Sequence, residues 1–291
     1  MKKCAIFING FYTNPSIEHQ VSSLRREFSS LGVTAEVVKS DRMVCRIEGF
    51  GVRLDLNSLD FGVYLDKDIH NALMLEKGGL RLFNSARSRE LCDDKMLTFI
   101  ALSGSGVRMP KTFSSPVMYR EAEERAVIGR IEEEIPYPVV VKEVFGSMGA
   151  GVHLARDKKE LTALRSSLKL KPHVYQKFRG KGGEDERIIV IGGKAAAAMK
   201  RVNDGDFRSN VACGGRGIAD EPSEEEKFIA EKSAEVLGLD YAGVDVIRDA
   251  DGTPYLCEVN SNAFFSGIEK ATGANVAGLY ARHIFREVYG K

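Results

Sequence analysis

Apolar residues at Ile17, Val21, Leu24, Phe28 and Leu31 recur at alternating steps of four and three, the spacing of one helical face. Asn14-Pro15 stands before them, with proline suited to a first helical turn, and Gly32 follows as a stop. Short apolar runs flank this helix at Cys4–Ile8 and Val33–Val38, and a third follows at Phe61–Leu65. Strand, helix and strand at this spacing predict a small α/β layer with a parallel sheet, assigned to residues 1–85. Residues 42–57 are polar and ambiguous.

The next pattern is a helix over Ser88–Leu102, ended by Ser103-Gly-Ser-Gly106, then a short strand at Pro110–Phe113. A charged helix over Tyr119–Glu134 is punctuated by Pro136 and Pro138. Val139–Lys142 and Val152–Ala155 read as strands around Gly146-Ser-Met-Gly-Ala-Gly151. Val174–Phe178 is a further strand, and Asp185–Val190 with Ala195–Met199 a strand pair. Residues 203–217 form a long polar loop, a length that in a compact domain marks a functional lid or a disordered segment. Pro222-Ser-Glu-Glu-Glu opens a helix that runs to Leu237 and stops at Gly238, and a last helix covers Val276–Tyr289. The pattern divides the chain at residues 1–85, 86–175 and 176–291, with no internal repeat.

Within Tyr241–Asn260, two apolar runs flank Asp251-Gly252, the preferred pair for a two-residue hairpin turn. That turn sets Ala250 opposite Thr253, Ile247 opposite Leu256 and Asp245 opposite Glu258, with Asn260 on the face of Glu258. Directly opposed carboxylates destabilise a strand pair. A hard divalent cation between them removes the penalty, and two carboxylates with an amide oxygen are ligands magnesium takes. The competing reading, a solvated face with incidental charges, sits poorly with Val244, Val246, Leu256 and Val259.

Composition narrows the classes. With 42 basic and 41 acidic residues in 291, the net charge is +1, so no global basic field exists for nucleic acid. The cysteines at 4, 45, 92, 213 and 257 have no metal-ligand spacing and read as reduced thiols, a cytoplasmic signature. The apolar run ending before Asn9 is too short for a signal segment or a membrane span.

The glycine run after Lys142 lets backbone N–H groups approach a phosphate, or else is a plain flexible hairpin. Lys142, ending an apolar strand, favours the first reading, because a buried ammonium needs an anion. No G-x-x-x-x-G-K-[ST] sequence occurs, which excludes a P-loop. Asp249-Ala-Asp-Gly252 is not an EF-hand loop, since its glycine falls at position four where that loop needs position six. Arg201 and Arg208 bring fork-shaped cations suited to carboxylate or phosphate, with Ser209 and Asn210 beside them. His153 and His173 read as structural, and Cys213 as a small filler residue in the lid.

From about Asn84 onward the chain resembles the ATP-grasp ligases, and among them the RimK-like amino-acid ligases of the alpha-L-glutamate type. The resemblance rests on Asp94-Lys95, Val-Val-Val-Lys142, Gly146–Gly151, Asp206-Phe-Arg-Ser-Asn210 with Gly214-Gly215, Ala242-Gly-Val-Asp245, Glu258-Val-Asn260 and Gly267–Gly273, in family order. It implies an N-terminal α/β domain followed by a two-subdomain α+β fold whose antiparallel sheets clamp ATP. Lys95 and Lys142 match phosphate-holding lysines, and Gly146, Ser147, Gly149 and Gly151 match the flap. Gln176, Lys177 and Phe178 fall where the adenine is met, and Glu184 or Asp185, with Asp185 preferred, where the ribose is. Asp245, Glu258 and Asn260 match ligands of magnesium, two ions in such sites, with manganese a substitute. Arg201, Arg208 and Asn210 match positions that meet the substrate carboxylate and the acyl-phosphate.

The implied reaction is ATP-dependent amide formation through an acyl-phosphate, adding glutamate or a related amino acid to a small-molecule, peptide or protein carboxylate. It needs positioning and charge neutralisation rather than a side-chain nucleophile. The alternative is a nucleotide-binding regulatory module without catalysis. Dimers and tetramers are common in the resembled group. Ser261-Asn-Ala-Phe-Phe265 replaces the Pro-Gly turn of some relatives, and Met199 an acidic residue of others. Phe264 and Phe265 therefore either line a substrate pocket or belong to the core.

Overall fold

The computed structural model describes residues 1–117, 125–168, 170–210 and 214–290. Strand β1 (Lys2–Ile8) leads into helix α1 (Pro15–Ser30), whose cap Asn14 accepts from the Ile17 amide at 3.0 Å. β2 (Val33–Lys39), the hairpin β3 (Cys45–Glu48) and β4 (Gly51–Leu54), β5 (Phe61–Tyr64), α2 (Ile69–Lys77) and β6 (Leu82–Phe83) follow. The sheet order β2-β1-β5-β6 is parallel throughout, as the spacing predicts. Cys4 and Ile6 face α1, while Ala5 and Phe7 face α2, so both sides of the sheet are covered. The ambiguous stretch 42–57 is the β3–β4 hairpin, and its apolar Ile47 and Phe50 are exposed, which is why it shows no buried period. Helix α2 escaped the pattern because only Ala72 and Leu75 on it are buried, too few for a helical period.

The helix expected over Ser88–Leu102 is two helices, α3 (Ala86–Asp93) and α4 (Lys95–Leu102). Asp94 is extended, at φ −98° and ψ 110°, and its carboxylate accepts from the Met96 and Leu97 amides at 2.8 and 2.9 Å. A capping aspartate therefore starts a new helix on Lys95 instead of continuing the old one. Next come β7 (Thr112–Ser114), α5 (Arg125–Glu134), β8 (Val139–Glu143), β9 (Val152–Ala155), α6 (Lys158–Leu168) and β10 (His173–Lys177). The start of the helix expected from Tyr119 lies outside the described residues. These strands form an antiparallel sheet in the order β7-β10-β8-β9. Val139, Val141 and Tyr175 pack under α5 and α6, so Val140, Lys142 and Gln176 point to the opposite face.

The third sheet is antiparallel, ordered β13-β12-β11-β14-β15. It comprises β11 (Glu184–Ile191), β12 (Lys194–Val202), β13 (Arg216–Ala219), β14 (Tyr241–Arg248) and β15 (Pro254–Asn260), with α7 (Glu224–Leu237) between β13 and β14. Ser223 and Glu226 form a capping box at the start of α7, and Gly238 ends it at φ 67°. Ile188, Val190, Val244, Val246, Leu256 and Val259 share a core with α7 and residues of α3 and α4. Helices α8 (Ser266–Thr272) and α9 (Val276–Tyr289) close the chain. α9 packs beside α1, and one core joins Ile189, Tyr241 and Ile284 to Ile6, Phe28 and Phe61 of the N-terminal layer. No described helix is long and apolar enough to cross a membrane.

The β14–β15 hairpin corrects the expected turn while keeping its consequence. Asp249 donates to the Thr253 carbonyl and Gly252 to the Asp249 carbonyl, both at 2.9 Å, with Gly252 at φ 85°. The loop thus has one residue more than expected, and Ile247 pairs with Tyr255, not Leu256. A bulge at Cys257 then adds one residue on the other strand, and the two offsets cancel. Asp245 does face Glu258.

Candidate active site

An open cleft enclosing about 740 Å³ lies between the second and third sheets. From the second sheet Val140, Lys142, Val152 and Gln176 line it, the alternation of β8 and β10 turning them away from the α5–α6 core. From the third come Asp185, Asp245, Ile247, Cys257 and Glu258. Cys257 and Glu258 are consecutive yet both line the cleft, which a regular strand does not permit and the bulge does. Lys95 reaches in from the first turn of α4, its ammonium 3.3 Å from the Gly146 carbonyl and 3.5 Å from Glu258 Oε1. Lys142 Nζ stands 3.4 Å from the Cys257 carbonyl, so the bulge supplies its acceptor. Both lysines are buried. A buried ammonium with so little opposing charge is a place for an anion.

The lid and the glycine turn meet over this cleft. Gly183, at φ 70°, donates to the Phe207 carbonyl and accepts from the Asn203 amide, each at 2.7 Å. A Cβ there would stand 2.3 Å from the Asn203 carbonyl oxygen, so only glycine lets the lid close on this strand. Arg208 is held by Asp206, with Nη2 at 2.6 Å from Oδ2, and donates from Nη1 to the Gly149 carbonyl at 3.1 Å. The Arg208 hydrogen bond draws the Asp206 carboxyl below its usual range. Phe207, Arg208, Ser209 and Asn210 all line the cleft.

At the floor, a buried network joins Asp185, Arg201, Asp245 and Arg187. Arg201 clamps Asp185 with both fork arms, Nε standing 2.7 Å from Oδ1, and reaches Asp245 Oδ2 at 2.8 Å. Arg187 grips Asp245 from the other side, with Nη2 at 2.8 Å from Oδ2. Burial alone pushes the Asp245 carboxyl up, but Arg187 and Arg201 outweigh it and hold the group below its usual value. Burial likewise opposes the charge on Arg201, and Asp245 and Asp185 more than restore it. Burial raises the Cys257 thiol to about 11, leaving it without thiolate character at neutral pH.

Among the described residues no three His, Cys, Asp or Glu side chains are grouped to hold a metal by themselves. Asn260 Nδ2 is nonetheless buried without a hydrogen-bond partner, next to the Asp245–Glu258 pair. An amide turned end for end presents its oxygen there instead. Two carboxylates and an amide suit magnesium, which is commonly held by one or two carboxylates with substrate phosphates completing its shell.

Of the residues singled out in the sequence, Lys95, Lys142, Gly149, Gln176, Lys177, Phe178, Asp185, Arg208, Asn210, Asp245 and Glu258 line the cleft. Gly146, Ser147, Gly151, Arg201 and Asn260 do not; Arg201 is sealed in the floor network. Glu184 lines it as well, paired with Lys200 at 2.8 Å, whereas both Asp185 oxygens are on Arg201. Phe265 is a core residue, edge-on to Tyr241 at 5.8 Å, and Phe264 is half-buried and does not line the cleft. His173 is buried against Tyr175 and the Lys171 carbonyl. Cys213 lies outside the described residues. Sequence reasoning missed Arg187, whose signal was a charge two residues after Asp185, on the same face of a strand otherwise apolar from Ile188.

The family model for the RimK-like ATP-grasp domain matches residues 92–284. Beta-citrylglutamate synthase B of Homo sapiens is 37% identical over 75% of this chain and 56% of that protein. N-acetylaspartylglutamate synthase A of Homo sapiens is 33% identical over 89% of this chain and 70% of its own length. The chain thus spans little more than half of the first of these relatives. The structure of the ATP-grasp ligase PsnB with a phosphomimetic minimal precursor, Mg and ADP superimposes with a TM-score of 0.72 at 18% identity, covering 99% of each chain. The likeness in fold runs the whole length of the chain, including the N-terminal layer that carried no motif.

Proposed function

This chain belongs to the RimK-like ATP-grasp family, and on that premise we propose that it is an ATP-dependent, ADP-forming carboxylate–amine ligase. The amino acid it adds is glutamate or a close relative, and the acceptor is the carboxylate of a small molecule, a peptide or a protein tail. The reading is carried by one observation: two buried lysines, one from each side of the cleft, converge near a facing carboxylate pair. The names of the relatives, both synthases of glutamate conjugates, support the amino-acid assignment.

In this reading Lys95 and Lys142 hold phosphate oxygens, and Gln176, Lys177 and Phe178 receive the base. The ribose falls to Glu184 or Asp185; Glu184, at the more exposed position, is the freer carboxylate. The flap residues Gly146, Ser147, Gly149 and Gly151 cover the phosphates, drawn to the lid by Arg208, and so exclude water from a hydrolysable intermediate. Asp245, Glu258 and Asn260 would hold magnesium, one ion or two, which when bound supplies charge neutralisation at the phosphates. Arg208 and Asn210 face the transferring group, and Arg201, with Arg187, keeps Asp245 ionised and aimed. A substrate carboxylate oxygen attacks the γ-phosphorus and ADP leaves; the amine then attacks the acyl carbon and phosphate leaves.

The test is a coupled ADP-release screen over amino acids and acceptor carboxylates, with product mass measured. A mass gain of one glutamyl residue is expected, and a ladder of gains means repeated addition. Asp245→Asn with Glu258→Gln is expected to abolish substrate-dependent ADP formation; unchanged turnover removes the site assignment. One observation favours a second reading, a nucleotide-binding module without turnover: both arginines already occupy Asp245. That reading predicts magnesium-ATP binding with no ADP release against the whole panel.

A further inference from the structure

Asn260 ends β15, and Gly243 opposite it is the last rung of the β14–β15 ladder. Beyond that rung Tyr241 of β14 has no strand on that side, yet a backbone donor and acceptor buried there need partners. One side chain from elsewhere supplies both. Asn84, between β6 and α3, accepts from the Tyr241 amide through Oδ1 at 3.0 Å and donates from Nδ2 to the Tyr241 carbonyl at 2.7 Å. Its second Nδ2 hydrogen goes to the Ser261 carbonyl at 2.8 Å. Turned end for end, the amide would set NH₂ against an N–H and oxygen against two carbonyls, so the bonding fixes its orientation. Asn84 is 1% exposed and does not line the cleft. Its carboxamide stands where the next peptide group of β15 would have been.

We propose that Asn84 is a positioning residue for the metal site: by holding the backbone at Ser261 it sets where Asn260 stands beside Asp245 and Glu258. Asn260 Nδ2 has no partner of its own, so the direction of that side chain follows from the backbone that carries it. Both chain neighbours of Asn260 are tied to the same segment. The Val259 carbonyl accepts from Cys92 Sγ at 3.2 Å, and Ser261 Oγ donates to Asp93 Oδ1 at 2.9 Å. Further along, Asn262 Nδ2 donates to the Leu65 carbonyl at 2.7 Å, and the Ala263 carbonyl accepts from Gln20 Nε2 at 3.0 Å. Residues 84–93, which fix Asn260, run directly into the Asp94 cap that presents Lys95 to the cleft. One segment thus places a phosphate lysine and a metal ligand together. The proposal rests on the magnesium reading above and extends it to a residue outside the cleft.

The test is manganese binding at saturating ADP, read by electron paramagnetic resonance, beside ADP binding in EDTA, read by calorimetry, with circular dichroism as the check on folding. Asn84→Asp keeps the shape of the side chain but loses both donations and turns an oxygen toward two carbonyls. It is expected to weaken manganese about tenfold, the lower end of what partners of a metal ligand carry, and to leave metal-free ADP binding within about twofold. Ser261→Ala removes only the tie to the half-buried Asp93 and is expected to weaken manganese in the same direction by a smaller factor. It decides the matter if Asn84→Asp does not fold. Manganese affinity unchanged in the folded variant overturns the proposal. So does an equal loss of manganese and metal-free ADP binding, which makes Asn84 a support of the whole cleft and not of the metal site. Wild type that binds no manganese at saturating ADP overturns the magnesium reading itself, and this proposal with it.

Discussion

Arg201 invites two incompatible expectations, and replacing it separates them. As a substrate-facing cation its loss lowers activity and leaves the fold alone. As the keystone of the floor network its loss strands Asp185 and Asp245, 8% and 2% exposed, with Arg187 compensating only the second. Removing one member of a buried ion network costs about 3–5 kcal/mol, because the partners remain as uncompensated charge. Against a total stability of about 5–15 kcal/mol that is a large share. Arg201→Met preserves side-chain volume, so the loss is electrostatic and not a cavity effect. Thermal unfolding followed by circular dichroism at pH 7.5 is expected to fall by on the order of 10 °C, at about 2–4 °C per kcal/mol for a protein of this size class. Arg201→Met paired with Asp185→Asn should recover part of the loss, since one stranded charge is then neutral. A melting temperature within about 2 °C of wild type, with activity gone, refutes the network argument and returns Arg201 to the substrate.

Three further outcomes follow from the same geometry. The Asp245 carboxyl, held low by Arg187 and Arg201, contributes stability that is present above its unfolded value of about 3.9 and disappears as pH falls through the depressed folded value; acid unfolding curves of wild type and Asp245→Asn should converge in that range. Gly243→Ala places a Cβ 2.3 Å from the Ala263 Cβ beneath β14, and urea unfolding should show a loss of about 1–3 kcal/mol from overpacking. Arg208→Ala removes the hydrogen bond from the lid arginine to the Gly149 carbonyl, and the KM for ATP is expected to rise about tenfold, equivalent to about 1.4 kcal/mol; an unchanged KM separates the lid from nucleotide binding.

Much of the fold was legible because its periods are local. The α1 face, the capping box of α7 and the glycine stops after both are each written within one element. The site was legible where a ladder could be counted, and the count reached Asp245 and Glu258 through two errors of one residue that cancelled. The bulge was nevertheless visible in principle: Leu256 and Val259 are both core residues three apart, which an unbroken strand cannot bury on one face. The break at Asp94 was hidden because a capping aspartate in a run of helix formers also reads as an exposed helical residue. Arg201 and Arg187 were harder still. A fork-shaped cation looks the same in sequence whether it meets a substrate or two buried aspartates, and only the crossing of β11, β12 and β14 decides.

The joint core of α1, α9 and the N-terminal sheet has a consequence for biosynthesis. The face of β1 carrying Cys4 and Ile6 is finished by α1 together with residues from Tyr241 to Ile284. At about 5–20 residues per second, a ribosome that has just released β5 needs on the order of ten to forty seconds to deliver α9. Through that interval the growing chain carries a parallel sheet with an incomplete apolar side, the kind of surface that recruits chaperones or aggregates. Strand β1 emerges well before α9 yet is fully secured only with it, and its solubility while waiting depends on α1, which is made early enough to shield the strand beneath Leu24 and Phe28.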